Sequence, residues 1–121
     1  MDLSSTSTDK TLKARASRVA AVAAQHADDV DKAGRFPKEA VDAMKAERLM
    51  GIQIPLDCGG EGRSISEIAE LCTIMAQGCA ASAMIFAMHQ IKVSSLVSHG
   101  TEAPWHRDFM RRICAEQLLL G

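Results

Sequence analysis

The chain has 121 residues, 47% of them apolar and 3% aromatic, with a formal net charge of -1. That length suits one domain burying about two-thirds of its unfolded surface, and so apolar a composition excludes a disordered tail. Three Phe, one Trp and no Tyr favour close-packed helices over a β-sandwich, whose strands draw on aromatic and β-branched residues.

Residues 1–10, rich in Ser and Thr, read as a flexible N-terminus that Thr8 or Asp9 closes by capping a helix over 11–32. Its inward stripe is Leu12, Ala16, Val19, Ala23, His26, Ala27 and Val30, apolar positions recurring at helical spacing. Lys13, Arg18, Gln25, Asp28 and Asp29 lie opposite, and Gly34 supplies the stop. Phe36-Pro37 opens a second helix, over 37–49, with proline where its missing N–H is harmless. Ala40, Val41 and Met44 face inward there, and Gly51 is the expected stop.

Ile52–Pro55 is an extended run too short for a sheet. The loop Asp57-Cys58-Gly59-Gly60-Glu61-Gly62-Arg63-Ser64 has the look of a phosphate cradle before a helix. It lacks the G-x-x-x-x-G-K-[ST] spacing, and Glu61 would repel a phosphate, so a tight turn is the better reading. Ser64-Ile65-Ser66-Glu67 forms a capping box for a helix over 65–77, with Ile65, Ile68, Ala69, Leu71, Cys72, Met75, Ala76 and Cys79 on its apolar side.

Gly78 to Ala81 links into a helix over 83–98, with Ser82 as its N-cap and Gly100 as its stop. Ala83 to Met88 is apolar on every side, the pattern of a helix buried all round. A last helix, over 102–115, starts from Thr101 and turns Trp105, Phe109, Met110 and Ile113 inward. Leu118-Leu119-Leu120 then reads as a strand beginning, with nothing left for it to pair with. The expected fold is therefore all-α, an antiparallel bundle of about five helices around a buried central helix at 83–98. The expected domain is 11–117, and 118–121 is the start of a missing β-domain.

Arg107, Arg111 and Arg112 are interrupted by Asp108 and form a solvated helix face, so no nucleic-acid partner is expected. Cys58, Cys72, Cys79 and Cys114 include no C-x-x-C and no histidine at zinc spacing, so the expectation is no metal site and four reduced thiols. Met1-Asp2-Leu3-Ser4 has no signal-peptide character, and the longest apolar run is about half a membrane span. The expectation is a cytoplasmic protein without a membrane partner.

The order of these features resembles the N-terminal domain of the acyl-CoA dehydrogenases. The carrying residues are Phe36-Pro37, Leu49-Met50-Gly51, Ile54-Pro55, Gly59-Gly60-Glu61-Gly62, the link Cys79 to Ser82, and Gly100-Thr101-Glu102. The match runs over 12–120. Two positions depart from the pattern: Cys58 replaces an aromatic, and Leu56 replaces the first of two acidic residues, leaving Asp57. Both are turn positions, where local repacking is expected.

The resemblance implies one part of a three-domain flavoenzyme that sets a fatty acyl-CoA against FAD. It implies an α-proton abstraction by a glutamate of the C-terminal domain, with hydride leaving to the flavin. FAD contacts then come mostly from the other domains, electron-transfer flavoprotein is the redox partner, and the full-length protein is a homo-oligomer. Glu39, Glu47, Glu61, Glu67, Glu70, Glu102 and Glu116 fall on polar faces or turns, so no catalytic residue is expected here. By register, the family's acyl-pocket wall corresponds to Ala83, Met84, Ala87, Met88 and Ile91, with ordinary core packing as the plainer reading. Small Ala83 and Ala87 beside adaptable Met84 and Met88 would leave room for medium or longer, including branched, acyl chains. Two further readings stay open: the flavin-dependent monooxygenases that share the fold, and a non-catalytic helical interaction module.

Overall fold

The computed structural model describes residues 11–99 and 103–120. They form helices α1 (Leu12–Ala33), α2 (Lys38–Ala46), α3 (Ile65–Gly78), α4 (Ala80–His99) and α5 (Pro104–Glu116), with one 3-10 turn at Leu56–Cys58 and no strand among the described residues. The all-α bundle expected from the sequence is what forms. The expected N-terminal caps Thr8 and Asp9, the stop Gly100 and the cap Thr101 lie outside the described residues. Thr11 caps α1 instead, its side chain accepting from the Ala14 N–H, while Ala103 precedes Pro104 at the start of α5.

Three helix ends share one device. Gly34 takes the left-handed conformation after α1, and the Arg35 N–H reaches back to the Val30 carbonyl. Arg48 does the same after α2: its N–H donates to Lys45 O and the Leu49 N–H to Met44 O. Gln117 repeats it after α5, with the Leu118 N–H on Ile113 O. These are Schellman closures, and the first uses the expected glycine while the other two hold side chains where glycine is preferred. Hence α2 stops at Ala46, earlier than expected, and Gly51 is not its stop. Gly51 is needed for space: a Cβ there would lie 2.5 Å from the Cys114 Sγ.

The core has two lobes. Val19, Met44, Leu49, Met50, Leu71, Met75 and Phe86 fill the first, between α1, α2, α3 and the start of α4. Ile54, Cys58, Val93, Met110, Ile113 and Cys114 fill the second, between the loop and α5. Helix α4 contributes Phe86 to one and Val93 to the other, and the loop 49–58 runs from the first to the second. Leu119 packs on the first lobe and Leu118 and Leu120 on the second, so this segment is half-buried. Cys58, the departure from the family's aromatic, is buried in the second lobe, and Asp57 pairs with Arg107 at 2.6 Å.

Several inward positions are corrected. Ile65 is 62% and Trp105 66% exposed, the latter stacked on His106, and Ala69 and Ala76 are also exposed. Helix α4 begins at Ala80, so Ser82 lies inside it, buried, rather than capping it. Cys79 makes the junction: its N–H ends α3 on Met75 O, and its carbonyl accepts from the Ala83 N–H to start α4. Helix α4 is not buried all round either, because Met84, Met88 and Ile91 face outward. At 20 residues it is long and apolar enough to span a membrane by length and composition, correcting the estimate from the apolar run. Its His89 and Gln90 are hydrogen-bonded within the bundle, the arrangement of a core helix.

Candidate functional site

The outward face of α4 is built at helical spacing. Met84, Met88 and Ile91 stand at i, i+4 and i+7 and are 61%, 53% and 68% exposed. Ala87 sits half-buried between them and α3. Of the five expected wall residues, these four share one face; the fifth, Ala83, turns inward and packs in the first lobe with Phe86. Only Ala87 is then left to supply the room that Ala83 and Ala87 together were expected to give.

A shallow groove of about 160 Å³ runs between α3 and α4 beside this face. Ile65, Ile68, Ala69 and Cys72 form one bank, and Ala87, Gln90, Ile91 and Ser94 the other. The α3 bank was missed in the sequence because Ile65 and Ala69 fit an inward stripe. Burial pushes the Cys72 thiol up, so it presents a neutral, weakly polar surface to the groove.

Polar side chains under α4 hold the loop in place. Gln90 Nε2 donates to Leu49 O at 2.9 Å, and Gln53 Nε2 donates to Gln90 Oε1 at 2.8 Å. Ser94 Oγ donates to Gln53 Oε1 at 2.6 Å, closing a chain of satisfied groups beneath the apolar surface. His89 lies deeper, bonded to Met50 O and to the Leu120 N–H. Burial lowers its pKa first of all, with Lys92 adding to the effect and the Met50 bond opposing it.

The glycine loop is not an anion cradle. Its N–H groups are already used: Gly59 on Leu56 O, Gly60 on Pro55 O, Gly62 on Ile54 O and Arg63 on Ile52 O. Ser64 and Glu67 close the start of α3 with the expected reciprocal capping box. Glu61 turns to Arg15 in a two-pronged pair at 2.9 and 2.8 Å, and Arg15 also donates to the Glu47 carbonyl. Arg15, buried on α1, went unrecognised because Arg is rarely buried unless paired, and its partner lies 46 positions away.

The larger cleft at this point, about 400 Å³, is lined by Arg15, Arg18, Arg48, Arg63, Glu47 and Glu61. Its two carboxylates are taken up by Arg15, Arg18 and Arg63, and Arg48 donates to Cys114 O, so it serves to tie α1 to the loop. Its size does not make it the chemical centre: the apolar groove is the better candidate for a ligand with a hydrocarbon tail.

The glutamates resemble surface anchors. The Arg35 guanidinium holds Glu39 below the usual carboxylate range, Arg15 does so for Glu61 against its burial, backbone and side chain of Ser64 for Glu67, and Arg112 for Glu116. A general base needs the opposite shift. No group of three or more metal-ligating side chains is found among the described residues, and all four cysteines are free. Burial raises Cys79, but the polar groups of Ser82 and Ala81 at the start of α4 outweigh it and bring the thiol below its ordinary value, though the Ser82 hydroxyl is not within hydrogen-bond reach of any partner among the described residues.

Comparisons with known proteins match this architecture. The family model described as "Acyl-CoA dehydrogenase, N-terminal domain" matches residues 6–117. The chain is 29% identical over 118 residues to the 3-sulfinopropanoyl-CoA desulfinase of Paraburkholderia xenovorans (strain LB400), covering 96% of this chain and 29% of that protein. It is 31% identical over 103 residues to the acryloyl-CoA reductase (NADH) of Anaerotignum propionicum, covering 84% and 26%. It is 32% identical over 79 residues to the probable acyl-CoA dehydrogenase fadE25 of Mycobacterium leprae (strain TN), covering 65% and 20%. The chain thus spans less than a third of the length of these relatives, and no solved structure matches it. With a match running through all five helices, the chain belongs to the acyl-CoA dehydrogenase N-terminal domain family.

Proposed function

We propose that this chain is the N-terminal helical domain of an FAD-dependent acyl-CoA dehydrogenase, and that the outward face of α4 with the α3/α4 groove forms one wall of its acyl pocket. The observation that carries the reading is the apolar strip Met84, Ala87, Met88 and Ile91 beside a nearly apolar groove. Exposed apolar surface of this continuity marks a site where something apolar is held. The names of the three relatives each include an acyl-CoA, which supports an acyl-CoA as the substrate class.

The wall's task is to bind and orient. Contact along the tail excludes water and fixes the acyl chain, so that a base and a hydride acceptor elsewhere meet the α- and β-carbons. The carboxylates described above are held low by ion pairs, which supports a base supplied from outside these residues. The residues present do not fit FAD by themselves, since the glycine loop's N–H groups are engaged internally and offer a pyrophosphate nothing. FAD would be held by the remaining domains, as would the contacts to electron-transfer flavoprotein and to other subunits. Fatty-acid metabolism and a cytoplasmic setting belong to the same proposal.

The test uses the full-length protein, purified with its flavin, mixed with acyl-CoA in the absence of oxygen. Loss of the oxidised-flavin absorbance on adding the thioester is expected. A flavin that is reduced only by a nicotinamide donor and then consumes oxygen would replace this reading with the monooxygenase one.

A further inference from the structure

His89 is fully buried, with both ring nitrogens engaged. The Leu120 N–H lies 3.0 Å from Nδ1, and a backbone N–H can only donate. Nδ1 must therefore carry the lone pair, and the proton sits on Nε2, donating to Met50 O at 2.7 Å. The tautomer is fixed by the fold. One ring nitrogen holds the loop leaving α2, and the other holds the extended segment after α5.

We propose that His89 is a proton-operated latch, whose neutral ring pins the segment 118–120 to α4 and whose protonated ring releases it. Adding a proton to Nδ1 sets two N–H groups head to head at the Leu120 contact, while the Nε2 bond to Met50 O survives. The two contacts thus respond differently, and only the C-terminal segment is let go. Leu118 stays anchored because its N–H closes onto Ile113 O, independent of the ring.

Burial favours the neutral ring, against the Met50 bond. On its own helix, Lys92 adds positive charge. On the loop, Arg48 precedes Met50 and its guanidinium is engaged with Cys114 O. From α5 come the neutral amide of Gln117 and the Cys114 thiol, which burial pushes up. The segment itself brings only leucines. No carboxylate among the described residues acts on the ring. The latched state therefore binds its proton less readily than a free histidine, whose pKa is about 6.5. The latch is fully closed above that value and opens as pH falls through the lower value of the buried ring.

The test is nitrogen-15 NMR on the 121-residue chain from about pH 8 to about pH 5, following the His89 ring and amide exchange together. The ring is expected as the Nε2–H tautomer, titrating below about 6.5. Protection of the Leu120 amide, corrected for intrinsic exchange, should fall by about tenfold with the same midpoint, while Leu118 stays protected. In His89→Asn, whose amide oxygen can accept from Leu120 without titrating, that pH dependence should vanish. An Nδ1–H tautomer, or Leu120 protection that stays flat through the ring's titration, overturns the proposal, and neither result depends on the variant folding. Persistence of the pH dependence in His89→Asn overturns it as well.

Discussion

Gln117 closes α5 in the left-handed region at φ 51, where glycine is preferred, and its side chain compensates for the backbone. Oε1 accepts from the Met50 N–H at 3.0 Å, and Nε2 donates to Cys114 O at 2.7 Å. Both partners are buried. In Gln117→Ala, Cys114 O keeps its bond from Arg48, but the N–H of fully buried Met50 loses its acceptor. A buried donor left unpaired costs about 1–3 kcal/mol, and this is the expected loss. Gln117→Gly loses the same bonds yet relaxes the left-handed backbone, so it should recover about 0.5–1 kcal/mol relative to the alanine variant. Urea unfolding followed by far-UV circular dichroism measures both, provided the slope with denaturant is unchanged. A loss below about 0.5 kcal/mol for Gln117→Ala, or a glycine variant less stable than the alanine one, would refute the reasoning.

Gly78→Ala should destabilise by about 1–3 kcal/mol, against the usual gain from alanine in a helix. The new Cβ would lie 2.2 Å from the Ala20 carbonyl oxygen, a backbone atom of α1 that cannot turn aside. A neutral or stabilising result would show that α1 and α3 are not so close. Cys79 should be alkylated by iodoacetamide faster than Cys72 or Cys114 at about pH 7.5, because the polar groups at the start of α4 lower its pKa while burial raises theirs. Mass spectrometry of partially labelled protein gives the order, and Cys72 or Cys114 reacting first would contradict it.

Local rules made much of the fold legible. The stripe Ala16, Val19, Ala23 and Val30 is buried as its spacing implied, and Gly34 and the Ser64/Glu67 box sit where their chemistry placed them. What escaped was set by distant partners. Arg48 and Gln117 carry no local sign of a left-handed turn; Arg48 is held there by Cys114 and Gln117 by Met50, each partner more than sixty positions away. Apolar periodicity fails on α4 for another reason. A helix apolar on all sides gives no direction, so the burial of Ala83 and the exposure of Ile91 depend on where α3 lies. The same ambiguity hid the α3 bank of the groove. Ile65 reads as core by type, and it stands exposed beside Ile91.

The central claim is that the outward face of α4 touches the acyl tail, and Ala87→Leu in the full-length enzyme tests it most directly. Ala87 lines a groove of about 160 Å³, so leucine would occupy space there between Ile68 and Ile91. Each methylene displaced from an apolar contact gives up about 0.8 kcal/mol, or about fourfold in kcat/KM. Activity on long acyl-CoA should therefore fall by about tenfold or more, while that on butyryl-CoA stays within about twofold. Equal loss on both substrates would mean that this face packs against protein and not against substrate.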